Sequence, residues 1–328
     1  MTRPPFRITP RILALSTDIG RLVGRSEGAN AAEPTPRLRR SSRVRTVHGS
    51  VAIEGNTLSL DQVTALLDGK RAAGPAHEVR EVRNAIAAYA LGPRLAPGSI
   101  RDLLRAHAVM MDGLVRDAGR WRAGDVGVIR GSRVGHVAPR APRVPALMRE
   151  LLGFIARDRE TPPLVRACVA HYEIEFVHPF SDGNGRMGRL WQHVILLGVS
   201  PVFAFVPAES IIKDRQAAYY ASLAACDRAG ESTAFIEFAL DALRAGLAEA
   251  VPGFRPRRPD AGARLEAARE RFGRGSFTRA DYLGLHPDIG TATASRDLRR
   301  GTDGGLLERS GHRATARYRF AGQRAGRR

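Results

Sequence analysis

Apolar residues recur at helical spacing over most of the chain. Thr9 followed by Pro10 reads as a cap and first-turn proline, and Ile12, Leu15, Ile19, Leu22 and Val23 then fall on one face, which predicts an amphipathic helix. Residues 26–36, SEGANAAEPTP, are small, polar and broken by prolines, and read as a loop. The basic stretch beyond, RLRRSSRVRTVHGSVAIEGN, can be helical as far as Gly55-Asn56. Ser59 with Gln62 forms a capping-box pattern ahead of VTALLDG, and a longer helix is expected over about 78–91. The pattern changes over 119–142, GRWRAGDVGVIRGSRVGHVAPRAP, where β-branched residues, glycines and a closing proline predict a short hairpin or flap. Helical spacing returns over 144–155, 164–177 and 186–198, with a polar segment at 178–185, and again over 210–250. The proline-arginine stretch 251–262, VPGFRPRRPDAG, reads as a linker, and 265–320 reads helix, helix, hairpin.

A length of 328 residues suits one large domain and one small one. With 43% hydrophobic and 26% charged residues, the composition is that of a folded chain and excludes wholesale disorder. No apolar run approaches the roughly 18 residues that would span a bilayer, and Arg3, Arg7, Arg11 and Asp18 interrupt the start, so neither a signal peptide nor a membrane anchor is expected. Cys168 and Cys226 cannot make a disulfide framework or a four-thiolate metal site, and a reduced, cytoplasmic protein is the expectation.

The net charge of +19 points toward nucleic acid, but Lys70 and Lys213 are the only lysines among 52 basic residues, an arginine bias that a GC-rich genome produces unaided. Its distribution says more: residues 255–328 carry 18 arginines against 8 acids, an excess of +10.

Chemistry concentrates in His178-Pro179-Phe180-Ser181-Asp182-Gly183-Asn184-Gly185-Arg186-Met187-Gly188-Arg189, directly ahead of an apolar helix. Gly183 and Gly185 permit positive φ and close approach of backbone to a ligand, and open N–H groups at a helix start favour an anion, with a diphosphate the natural guest. Arg186 and Arg189, three apart, share a helix face and can clamp phosphate oxygens. Asp182 offers the hard oxygen that Mg2+ prefers, and His178 is the available general base for a hydroxyl nucleophile. His171, one heptad earlier, reads as a core histidine.

The segment HPFSDGNGRMGR resembles the signature of Fic-domain proteins, His-x-Phe-x-Asp/Glu-Gly-Asn-Gly-Arg-x-x-Arg, at every specified position, and similarity to the Fic architecture runs from about Thr9 to Ala250. The resemblance implies an all-α Fic fold with a small β-hairpin flap, and transfer of AMP from ATP to hydroxyl side chains of target proteins and of the chain itself. It implies His178 as base, Asp182 on Mg2+, Gly183, Asn184 and Gly185 at the phosphates, Arg186 and Arg189 on the outer phosphates, and Phe180 as a buried anchor. Val134-Gly135-His136-Val137 resembles the Fic flap that lines the nucleotide site and holds the target as an added strand. Tyr219, in AAYYASLAACD, resembles a tyrosine that borders the adenine pocket, with core packing as the rival reading.

Ser50-Val51-Ala52-Ile53-Glu54-Gly55 matches the inhibitory Ser/Thr-x-x-x-Glu-Gly/Asn motif of Fic proteins with an N-terminal brake. On a helix Ser50 and Glu54 face the same way, and the resemblance pairs Glu54 with Arg189. The C-terminal segment resembles a winged helix-turn-helix, with Thr293, Ser295, Arg296, Arg299 and Arg300 as candidate DNA contacts; Gly301 departs from the apolar residue common there, and protein interaction stands beside DNA as a role.

Four segments are therefore expected: an N-terminal helical region 1–110 carrying the motif at 50–55, a catalytic core 111–250, a linker 251–262, and a winged-helix-like domain 263–321. The leading reading is a protein adenylyltransferase autoinhibited by Glu54, using ATP and Mg2+, with no membrane partner and a homodimer left open. The alternatives are a deAMPylase using the same site, and a DNA-binding regulator whose Fic domain senses nucleotide.

Overall fold

The structure, a computed structural model, describes residues 3–27, 33–130, 133–255, 259–312 and 316–321; the side chains of 128–136 lie outside the described ones. The chain divides into two units, Met1–Pro256 and Arg257–Arg328.

In the first unit, α1 (Pro10–Glu27) is followed by β1 (Glu33–Pro34), α2 (Pro36–Ile53), α3 (Leu60–Leu67), α4 (Ala76–Leu91) and α5 (Ile100–Met110). The hairpin strands β2 (Gly127–Arg130) and β3 (Arg133–Val137) come next, then α6 (Val144–Arg157), α7 (Pro163–Val177), α8 (Asn184–Leu197), α9 (Ala208–Asp214), α10 (Gln216–Ala229), α11 (Thr233–Ala250) and β4 (Phe254–Arg255). The helix starts follow their caps: Thr9 Oγ1 accepts from Ile12 N at 3.1 Å, Thr35 Oγ1 from Leu38 N at 3.2 Å, and Ser59 with Gln62 completes a capping box. Side chains buried all round α7, among them Val165, Cys168, His171, Ile174 and Val177, make it the central helix, packed against α6, α8 and α11. The first helix of this unit closes on its last, α1 on α11, and β1 pairs antiparallel with β4.

Two backbone features position the site. α2 lies so close to α9 that a Cβ at Gly49 would stand 2.6 Å from the Glu209 carbonyl carbon, which fixes the end of α2 that carries Ser50. α8 begins at Asn184, two residues before the apolar spacing announces it, because its first turn is the polar sequence Asn-Gly-Arg. Gly183, at φ 81°, is the N-cap, so Gly185 lies inside the helix and not at the positive φ expected of it. Both cysteines are buried and free, and among the described residues no helix is long and apolar enough to cross a membrane.

The second unit consists of α12 (Ala261–Phe272), β5 (Phe277–Thr278), α13 (Arg279–Leu285), α14 (Thr291–Asp303), β6 (Leu307–Ser310) and β7 (Arg317–Phe320), with the antiparallel sheet ordered β5-β7-β6 and Leu307 opposite Phe320. Leu265, Ala268, Phe277, Tyr282, Leu298 and Phe320 are in its core. Thr278 and Asp281 form the capping box of α13, and a buried two-pronged pair, Arg264 Nε to Asp297 Oδ2 at 2.7 Å and Nη2 to Oδ1 at 3.0 Å, ties α12 to α14. Gly301 lies close under β6: a Cβ on it would stand 2.8 Å from Leu307 Cδ1, so a side chain there would displace Leu307.

Candidate active site

The site is built where α7 stops and α8 starts. His178 caps α7 in the left-handed region, φ 48° and ψ 60°, and is the one non-glycine residue with positive φ among the described residues. That conformation costs an L-residue roughly 1–2 kcal/mol, so the surroundings must impose it. Its Nδ1 lies 3.3 Å from the Glu175 carbonyl oxygen, which can only accept. This geometry puts the proton of a neutral ring on Nδ1 and the basic lone pair on Nε2.

Between the two helices the loop closes on itself. Asn184 Oδ1 accepts from Phe180 N and Nδ2 donates to Phe180 O, each at 2.9 Å. The Asn184 amide thereby ties the loop to itself, with one N–H and one lone pair engaged. Phe180 is fully buried, stacked on His107 with ring centroids 3.6 Å apart and on Trp121 at 5.3 Å. His107 holds the other side of the loop. Gly119 N donates to its Nδ1 at 2.8 Å, so Nε2 carries the proton and donates to the Asp182 carbonyl at 3.0 Å. Burial lowers the pKa of His107, in keeping with that neutral tautomer.

Asp182 keeps its side chain 58% exposed, with Oδ1 accepting from Gly183 N at 2.6 Å and Oδ2 3.3 Å from Arg186 Nη2. Arg186 is buried and also meets Glu81 Oε1 at 3.0 Å, while its Nε has no hydrogen-bond partner among the described residues. Asn56, just after the Ser50–Glu54 segment, donates to Glu81 Oε2 at 2.8 Å. Arg189, 1% exposed, donates from Nη2 to Glu54 Oε1 at 2.7 Å and to the Ser50 carbonyl at 2.9 Å, with Nε 3.3 Å from Ser50 Oγ. Burial works against the Arg189 charge, and the fields of Glu54 and its other neighbours outweigh it, holding the guanidinium above its ordinary pKa.

The start of α8 is crowded with carboxylates. A Cβ at Gly185 would lie 2.5 Å from Glu54 Oε1 and 3.1 Å from Glu175 Oε1, so a side chain there would displace these carboxylates. The Glu54 carboxylate thus stands at a helix N-terminus and on an arginine, the two features that attract an anion.

Tyr219 is 1% exposed, its ring packed with His171, Phe235 and Phe238 and its hydroxyl donating to Glu175 Oε1 at 2.9 Å. It is a core residue rather than a wall of an open adenine pocket, because hydroxyl and ring are both spent inside the helical packing. His171, between Gln192 at 2.7 Å and Tyr219 at 3.2 Å, is pushed down to about 3 by burial and then by Arg189, and so stays neutral. On the flap, Val134, Gly135, His136 and Val137 all stand on β3, which pairs antiparallel with β2 through a register shift between Val128 and Ile129. Val137 is 76% exposed; the side chains of Val134 and His136 lie outside the described ones.

The geometry therefore gathers His178, Asp182, Gly183, Gly185, Arg186 and Arg189 at one helix start, with Ser50 and Glu54 against them. The sequence reading missed Glu81, His107 and Arg122. A helix, a polar loop in a left-handed corner and an arginine-bearing helix start define the class of protein, and comparison with known proteins agrees. The model of the Fic/DOC family matches residues 97–196. A crystal structure of a Fic family protein from Desulfovibrio desulfuricans G20 is 41% identical, covers 100% of both chains and superposes with a TM-score of 0.73. The chain belongs to the Fic family. It is also 33% identical over 237 residues to a protein named protein adenylyltransferase fic-1 from Caenorhabditis elegans, a match covering 66% of this chain and 44% of that one, so the chain spans less than half of that relative's length. A solved structure of Fic-1 from C. elegans, 25% identical, covers 74% of this chain and 71% of that one with a TM-score of 0.58.

Proposed function

We propose that this protein transfers AMP from ATP to hydroxyl side chains of proteins, and that Glu54 restrains it. The observation that carries the reading is the placement of His178 six residues ahead of an α8 start with open N–H groups and two arginines. The name of the C. elegans relative supports it. The hydroxyl oxygen of a serine, threonine or tyrosine attacks the α-phosphorus as its proton passes to His178 Nε2. The bond from the α-phosphorus to the bridging oxygen breaks, and pyrophosphate leaves. N–H groups of the first turn of α8 and the Arg186 Nε left unpaired receive phosphate oxygens.

Asp182 fits Mg2+: one exposed carboxylate at the loop's edge suits an ion that takes most of its ligands from water and phosphates. Bound there, the ion would offset charge developing on the leaving pyrophosphate. In the present arrangement Glu54 holds Arg189 and would keep it from the γ-phosphate. Incubation with ATP labelled at the α- or the γ-phosphate tests the reaction: label should appear on protein only from the α position, and γ-label transfer would indicate phosphorylation instead. Asp182→Ala should remove both activity and its dependence on added Mg2+; undiminished, Mg2+-dependent turnover would mean that another residue holds the ion.

The second unit supports a separate role on DNA. Arg296, Arg299 and Arg300 are exposed on α14, while Thr293 and Ser295 are half-buried; Arg279, Ser295, Arg296, Arg299, Arg309 and Tyr318 line one groove. Such a helix fits a major groove with the basic strands beside it on the phosphates. Duplex binding measured by fluorescence anisotropy should weaken with salt, and Arg296→Ala with Arg299→Ala should weaken it further. Absence of binding at low salt would leave protein interaction as the role of this unit.

A further inference from the structure

Arg122 is an unusual buried cation. Its side chain is 2% exposed, yet the nearest carboxylate atom of its one ion-pair partner among the described residues, Asp125 Oδ1, lies 3.9 Å away and is largely in solvent. The guanidinium is spent on backbone carbonyls: Nε donates to His178 O at 2.7 Å, Nη1 to Gly124 O at 2.8 Å, and Nη2 to Pro139 O and, at 3.4 Å, to Val177 O. Its own N–H donates to Pro179 O at 3.0 Å. Burying a charge without a close counter-ion is costly, so these dipoles and the negative end of α7 must offset it.

The four acceptors come from two places that the sequence separates by about forty residues. Gly124 precedes β2 and Pro139 follows β3, so they are the two feet of the flap, which Asp125 Oδ1 also joins by accepting from Ala141 N at 2.7 Å. Val177 and His178 are the end of α7 and the left-handed corner that aims the candidate base. One rigid, planar group thus holds both feet of the flap and the strained peptide of His178.

We propose that Arg122 is a positioning residue that fixes the His178 imidazole against the flap, so that a target strand seated on the flap is presented to the base at a set distance. The inference deepens the AMP-transfer reading and rests on it for its kinetic consequence, but the coupling of the two segments can be read without any activity. Lysine keeps the charge and much of the bulk but cannot hold carbonyls on both sides in one plane, so Arg122→Lys is the milder variant and Arg122→Ala the stricter one.

Each variant is made in the full-length chain carrying Glu54→Gly and compared with that parent. The expected result for Arg122→Lys is a fall of about 10- to 100-fold in kcat for transfer of α-labelled AMP, with KM for ATP within about threefold and the melting temperature little changed. Hydrogen exchange should rise together in peptides covering 123–141 and 174–183, and remain as in the parent at 184–197. For Arg122→Ala, millimolar methylguanidinium should restore part of the rate and of the protection in both segments. A variant that loses ATP affinity and melting temperature in step with rate would show a purely structural role. Unchanged kcat, or exchange that rises in one segment alone, would overturn the proposal. If the parent itself transfers no AMP, the functional reading fails; the exchange data then decide alone, joint loosening supporting the link between flap and His178 and single-segment loosening refuting it.

Discussion

Replacing His178 with alanine is expected to slow AMP transfer by about 10²- to 10⁴-fold while leaving ATP affinity nearly unchanged. The imidazole Nδ1 lies 3.3 Å from the Glu175 carbonyl. The loop is closed by the Asn184–Phe180 pair, by His107 on the Asp182 carbonyl and by Arg122 on the His178 carbonyl, all of which survive the substitution. What disappears, on the proposed mechanism, is the lone pair that would take the proton from the attacking hydroxyl. Single-turnover transfer of α-labelled AMP, with ATP affinity read by displacement of a fluorescent analogue, checks both halves. Near-normal transfer would remove His178 from the role of base; a matching loss of ATP affinity would make it a member of the phosphate seat.

How much of this site the sequence discloses depends on whether the partners are neighbours along the chain. His178 to Arg189 is contiguous, so its chemistry and its family resemblance were both legible. His107 and Arg122 were not: each does its work through a backbone carbonyl some 55–75 residues away, and carbonyls leave no trace in residue identity. Arg122 was further hidden among 50 arginines. Glu81 sat unremarked on a helix whose apolar face was the visible signal, and only the packing of α4 brings it to Arg186. Gly185 was read as a position of positive φ, whereas it lies within α8, close against the carboxylates of Glu54 and Glu175. The helices themselves were legible from spacing and caps because local rules govern both; the early start of α8 was not, its first turn being stabilised by loop closure and not by an apolar face.

Glu54→Gly is expected to raise self-modification by about 10- to 100-fold, since it removes a charge-assisted hydrogen bond worth roughly 1.5–3 kcal/mol from the ground state. The segment that carries it is anchored independently of that bond: α2 is pressed onto α9 at Gly49, and Asn56 is tied to Glu81 and to the Glu78 carbonyl. Loss of the carboxylate therefore empties the space beside Gly185 without loosening the helix end, and Gly at the C-cap position that follows Ile53 is well tolerated. Arg189 is left buried with its Ser50 contacts and the field of Glu175 but without its hydrogen-bonded acid, a state that a γ-phosphate relieves. The expected signature is tighter productive ATP binding together with faster transfer. Arg189→Ala added to Glu54→Gly should cancel the gain, because the released guanidinium is what the first substitution supplies. Labelling by α-labelled ATP in the single and double variants, with thermal melts to establish folding, decides the matter. Activity that stays level or falls in a folded Glu54→Gly protein would end the restraint reading; if release of AMP from a modified protein also fell, Glu54 would instead be orienting a water for hydrolysis at this same site.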